Sequence, residues 1–366
     1  SSLFFRRPGS QTDCRPAGGF LPGKRESRRM VGEYILTQRD ISDGKDFKGL
    51  IEITVADGGT FSVTDCGANG GIGNIAILSG KLVMYGGNII EETQLKIDND
   101  ASFLMTGNAE NDNAIVIRGS ANFTMSGNAK NNGYISLFET DKTGNVEFCG
   151  NVDGGYVIVY KAQQDAKIHL YDNAKITELY TATPCTIGLV MQDNAVIGRA
   201  ENLEFGSIEL SGNAKLGSAD SSFAIKTSGK VDTITVKDNV QILGTVTVYL
   251  EKDEKFVLGD KSAITGELIV KKMSVTGYPA KVVMIGESVI QGKLTCTDDT
   301  ISFEMQDGTE IDGDIDIGES KVTGTVTCSG KIKSGIFSES GTVVNNGKIS
   351  GGIFYGTVAG TGTIED

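Results

Sequence analysis

Apolar and polar residues alternate with a period of two in short runs along most of the chain, and each run stops at Gly, Asp or Asn. Residues 103–109 read FLMTGNA, and the chain keeps restating that unit. FTMSGNA stands at 123–129, IHLYDNA at 168–174, LVMQDNA at 189–195 and IELSGNA at 208–214. VEFCGNV at 146–152 and ITVKDNV at 234–240 are looser copies. Apolar-x-apolar is a short strand with one buried face, because successive side chains point to opposite sides. The Gly/Asp-Asn pair behind it is turn chemistry, since Gly and Asn accept the left-handed backbone region and Asn or Asp bonds nearby backbone.

The spacing places the unit in a larger plan. Its first apolar position recurs at Phe61, Leu82, Phe103, Phe123, Val146, Ile168, Leu189, Ile208, Ile234, Phe256, Val282 and Phe303, with a mean step of about 22 residues. A fixed period of this size marks a solenoid. Strand-type alternation with frequent turns and no 3.6-residue pattern predicts an all-β chain. The fold expected is a single-stranded, right-handed parallel β-helix with about 22 residues per coil. Stacked coils align equivalent residues ~4.8 Å apart. Asn88, Asn108, Asn128, Asn151, Asn173, Asn194, Asn213 and Asn239 are then expected in one structural ladder, amide on amide, satisfying buried turn groups; Asn88 arrives one residue late in its repeat.

Four regions follow. Residues 1–29 hold three of the five Pro and seven basic residues against two acidic ones, and read as a disordered basic arm or a non-native extension. Residues 30–60 read as an N-terminal cap with the first strands, the cap partly helical. Residues 61–320 are the parallel β-helix. Residues 321–366 repeat at 17 (GKIKSGIF at 330–337, GKISGGIF at 347–354), which predicts narrower C-terminal coils, either complete or truncated. Four segments with a mid-strand Gly (264–270, 290–296, 311–317 and 322–328) predict a coil corner at that Gly. The doubled Lys271-Lys272 falls in a long repeat and is expected to bulge from the stack.

Net charge is −13, and residues 30–366 carry −18 of it once the basic first stretch is set aside. An acidic solenoid repels nucleic acid, so none is expected as a partner. No apolar run approaches the ~18 residues of a membrane span. The six Cys form no CxxC pair, and the one His stands apart from them, which argues against a zinc site. Cys296 and Cys328 fall in apolar phase and read as small buried hydrophobes.

Candidate chemistry is sparse. Asp298 and Asp299 are adjacent, and Asp312, Asp314 and Asp316 alternate along one strand, so the last three share an outward face. Carboxylates so spaced can hold Ca²⁺, or they are a solvated face. No catalytic residue and no other metal or cofactor is assigned. His169 lies between Ile168 and Leu170 and is expected to point outward. Tyr156, Tyr160, Tyr171 and Tyr180 form either a small aromatic patch or ordinary strand composition.

The repeated [LIF]-x-[ML]-[TSY]-[GD]-N-A unit, over roughly residues 61–310, resembles repeats of large bacterial adhesin-like surface proteins of the parallel β-helix type, familiar from gut Firmicutes. The unit at 347–356 is similar to repeats in the same proteins. The resemblance implies a cell-surface or secreted, non-enzymatic, elongated adhesion protein that presents a face to a host or microbial glycan or protein. Two alternatives stay open: a polysaccharide lyase or hydrolase of the β-helix type using acidic residues around Asp298–Asp316, and a phage tail-spike shaft.

Overall fold

The computed structural model describes residues 93–140, 145–162, 166–183, 185–227, 233–251, 253–273, 280–296, 301–316, 325–337 and 342–365. Before residue 93 it describes seven strands: Phe4–Arg6, Glu26–Met30, Glu33–Leu36, Ile51–Val55, Thr60–Val63, Gly73–Met84 and Asn88–Ile89. Among the described residues every helix-or-strand element is a strand. Strands stack in parallel register, each on the equivalent strand of the next repeat, which is a parallel β-solenoid. The chain divides into two compact units, Ser1–Cys185 and Thr186–Asp366.

In the first unit, strand–strand register sets the core. One column runs Leu82, Phe103, Phe123, Val146, Ile168. A second runs Leu95, Ile115, Ile135, Val157, Leu179. Every member of either column from Phe103 or Leu95 onward is at most 1% exposed. Burial of such a side chain stabilises by roughly 1.5–3 kcal/mol, so each coil adds its own stripe of core to the one before. Phe103 and Phe123 lie tilted at 52° with ring centroids 5.6 Å apart, and Phe123 meets Phe148 edge-on at 6.0 Å. A third, short column is polar. Asn131 lies opposite Asn111, and both are buried. The Asn111 amide donates to Asn131 Oδ1 (2.6 Å) and to the Asn113 carbonyl (2.7 Å). Asn131 donates to the carbonyls of Gly133 (3.0 Å) and Gly154 (3.1 Å). These amides satisfy corner carbonyls that water cannot reach.

In the second unit the short column is apolar: Ile197, Leu216, Ile242, Ile264, Ile290, Ile311, Ile332 and Ile349, in register and all buried. Phe205, Ile225, Val248, Val270 and Cys296 form another column. Cys296 and Cys328 are buried as the apolar phase requires, with reduced thiols. The later coils shorten: Ile332 pairs with Ile349 and Ile349 with Ile364.

The turn behind each strand is built alike. Ala109, Ala129, Ala174 and Ala195 donate their N–H groups to the carbonyls three residues back. The residue after that carbonyl has positive φ: Gly107 (65°), Gly127 (70°), Gly150 (85°) and Asp172 (57°) in the first unit, Asp193 (58°), Gly212 (72°), Asp238 (62°) and Asp260 (54°) in the second. That geometry confines the position to Gly or a residue of Asp/Asn type.

Several expectations need correction. Phe61 is not in the Leu82 column: it pairs with Tyr34 and Ile89, while Ile53 faces Leu82. Apolar phase alone does not distinguish the columns of one coil. The fourth mid-strand Gly segment is also displaced. Leu268, Leu294 and Ile315 align, but Val326 pairs with Phe303. Lys271 and Lys272 do not bulge; they end the strand Leu268–Lys272, opposite Tyr249 and Leu250. Phe4–Arg6 pairs antiparallel with Glu33–Leu36, and Glu26–Met30 stacks in parallel on Ile51–Val55. Glu33–Leu36 and Ile51–Val55 are strands, as expected of the first strands in residues 30–60.

Candidate functional site

One outward surface of the first unit gathers the exposed aromatic side chains. It is made by strands Ala114–Arg118, Tyr134–Thr140, Tyr156–Ala162 and Lys175–Thr181. Ile115, Ile117, Ile135, Leu137, Val157, Val159 and Leu179 point inward at 0% exposure. Strand alternation therefore turns Val116, Arg118, Tyr134, Ser136, Phe138, Tyr156, Ile158, Tyr160 and Tyr180 outward. Tyr134 and Tyr156 face each other across adjacent coils. The register shifts after Leu137, so that Phe138 lies opposite Lys161; this bulge re-aims the end of the strand carrying Tyr160.

The middle of the surface is dry. Val116, Ser136 and Ile158 point outward yet are only 6%, 3% and 7% exposed, whereas Tyr134, Tyr156 and Tyr160 at their flanks are 43%, 47% and 37% exposed. Phe138 and Tyr160 lie 6.1 Å apart, tilted by 49°. The Arg118 guanidinium sits 5.0 Å from the centre of the Phe138 ring, within cation–π range. Burial, and then the neighbouring Tyr160, Glu178 and Tyr134, push the Tyr180 phenol above its ordinary pKa, so it stays a neutral donor. The result is an amphipathic platform: aromatic bodies, phenolic tips, and charged side chains at its margins, among them Lys96 opposite Val116, Arg118, Lys161 and Glu178.

Sequence reasoning located half of this. Tyr156, Tyr160 and Tyr180 are on the surface, but Tyr171 is not. It lies behind the strand Lys167–Leu170 at the turn, its hydroxyl 2.8 Å from Nδ1 of the part-exposed His169. Tyr134 and Phe138 were missed; their signal is register, one coil back from Tyr156 and Tyr160, rather than nearness in sequence.

The asparagines stand as follows. In the first unit Asn128 donates to Asn108 (3.3 Å), Asn151 to Asn128 (3.3 Å) and Asn173 to Asn151 (2.9 Å). In the second, Asn213 donates to Asn194 and Asn239 to Asn213, both at 3.0 Å. All seven are exposed. Asn88 is outside this column, because it lies opposite Glu110. In the second unit the same turn position passes from Asn239 to Lys261 and Glu287, whose N–H groups bond the preceding coil in the same way, and their side chains form an ion pair at 3.5 Å.

The acidic candidates do not converge. Asp298 and Asp299 lie outside the described residues. Asp312 is 3.2 Å from Lys333, and Asp314 accepts the Ser334 hydroxyl. Asp316 has a described strand position, opposite Thr295 and Ile336, but not a described side chain. Among the described residues no three His, Cys, Asp or Glu side chains are grouped to hold a metal ion, and no helix is long and apolar enough to cross a membrane.

No family model, no curated protein and no solved structure matches the chain.

Proposed function

We propose that this chain is a non-enzymatic binding scaffold of the surface-adhesion kind, at the cell surface or secreted, in which the solenoid carries a binding face. One observation supports the reading most: the tyrosine platform on strands Ala114–Arg118, Tyr134–Thr140, Tyr156–Ala162 and Lys175–Thr181 exposes Tyr134, Tyr156 and Tyr160 around a dry centre. Exposed apolar rings cost solvation in the free molecule, and tyrosine and arginine are the side chains that dominate contact energies when covered. The same surface offers an incoming molecule contact area and hydrogen bonds but no paired acid and base. The acidic strand Glu310–Asp316, where the hydrolytic alternative would place its carboxylates, instead pairs Asp312 with Lys333 and Asp314 with Ser334.

The test joins two measurements on the full chain. Affinity electrophoresis through gels carrying soluble polysaccharides, with biolayer capture on mucin and fibronectin, reads binding. Assays for new reducing ends and unsaturated products read turnover. Retention without turnover is expected. Cleavage of any of these polysaccharides, abolished by Asp312→Ala or Asp314→Ala, would replace this reading with the enzymatic one.

A further inference from the structure

Resting on that reading, we infer that the tyrosine platform takes an uncharged oligosaccharide, held by Tyr134, Phe138, Tyr156 and Tyr160, rather than a protein surface or an acidic glycan. Size decides against a protein. From Tyr134 to Phe138 is four strand steps, about 13 Å. The coils from Tyr134 through Tyr156 to Glu178 span two steps of ~4.8 Å, plus side-chain breadth. The platform therefore offers on the order of 200–300 Å², against the ~800 Å² per partner of a stable protein interface. A few sugar rings are of that size.

Chemistry agrees with size. The C–H faces of a pyranose are apolar and its rim carries hydroxyls. The platform pairs aromatic bodies with phenol groups that both donate and accept. Its centre, Val116, Ser136 and Ile158, holds no charge. The rim carries charge of both signs: Glu178 opposite Tyr156, where it would repel a uronate, and Lys161 opposite Phe138 with Arg118 on that ring, where they would repel a cation. An uncharged ligand meets no such conflict.

The chain has no Trp, so tyrosine emission reports directly, and Tyr134, Tyr156, Tyr160 and Tyr180 are four of its ten tyrosines. The full chain is titrated with cello-, xylo-, manno- and chito-oligosaccharides as neutral probes and with oligogalacturonate as the acidic one. At least one neutral probe should give a saturable change. Tyr156→Ala should weaken it about tenfold. Tyr156→Phe, which keeps the ring, should weaken it less. Tyr355→Ala, at an exposed tyrosine of the other unit, should leave it unchanged. Circular dichroism of each variant establishes that it is folded. No response to any neutral probe, or equal binding by folded Tyr156→Ala, overturns the inference. Binding only to oligogalacturonate, mucin or fibronectin overturns it too but leaves the binding-scaffold reading standing. Cleavage of a probe overturns both.

Discussion

The backbone N–H of Gly150 donates to the Asp172 carboxylate, one coil later, at 2.9 Å. The same bond recurs from Gly212 to Asp238 (2.8 Å) and from Asp238 to Asp260 (3.0 Å). Asp172, Asp238 and Asp260 all have left-handed backbone, so the turn that accepts either Gly or Asp gains a coil-to-coil clasp when Asp is present.

Replacing that clasp separates its two contributions. Asp172→Gly removes the hydrogen bond but suits the positive φ. Asp172→Ala removes the bond and keeps a Cβ in the left-handed region without the local hydrogen bonding that lets Asp sit there, which costs about 1–2 kcal/mol more than Gly. Thermal or urea unfolding should rank the stabilities native, then Asp172→Gly, then Asp172→Ala. Equal stability of all three would mean the exposed carboxylate contributes nothing.

Asn151 donates to Asn128 and accepts from Asn173, so it serves two coils. Asn151→Asp keeps the shape but sets a carboxylate against the Asn128 oxygen. The ionised form is disfavoured in the folded chain, so its folded pKa lies above the unfolded value of ~3.9. The loss of stability, about 1 kcal/mol, should therefore appear above that pH and fade as acid protonates the group. Urea midpoints at pH 3.5 and 7 for the variant and the native chain measure it.

Glycine packing gives a harsher case. A Cβ on Gly292 would stand 2.0 Å from the Gly266 carbonyl oxygen, and one on Gly351 would stand 3.7 Å from its nearest neighbour. Gly292→Ala should cost about 3 kcal/mol or more, because only backbone is there to move. Gly351→Ala, at φ +106°, should cost about 1–2 kcal/mol from strain alone. Differential scanning calorimetry distinguishes the two.

Burial raises the Cys328 thiol from 9.0 to about 11, against a smaller lowering effect of a hydrogen bond from the Gly330 backbone. Thiolate is the reactive form. Cys328 should resist iodoacetamide at pH 8 in the native chain and react once the chain unfolds, as mass spectrometry of the labelled peptide will record. The folded value is the higher one, so this thiol's contribution to stability is complete below pH 9.0 and is lost as pH rises toward about 11.

Much of the stacking was legible in the sequence, for a physical reason. Phe103, Phe123, Val146 and Ile168 follow one another at nearly constant spacing because each coil needs an apolar residue at the same inward point. Phe61 fits the spacing and not the column, because a coil has several inward points that look alike in apolar phase. The turn column is legible while it stays Asn and disappears at Lys261 and Glu287, where an ion pair takes over the same position. Asn111 and Asn131 look like loop residues in the sequence, yet they are buried corner struts. The tyrosine platform was half visible, since Tyr134 and Tyr156 are neighbours through register, 22 positions apart in the chain.

The most direct measurement is a distance taken coil by coil. Lys215, Gln241, Ala263, Val289, Glu310, Lys331 and Lys348 are successive partners in register. Spin labels carried on non-natural side chains at Lys215 and Glu310, and at Lys215 and Lys348, sit four and six coils apart. Parallel stacking at ~4.8 Å per coil predicts backbone separations of about 19 and 29 Å by double electron–electron resonance. Separations that do not grow with coil number, or that track the length of intervening chain, would contradict it.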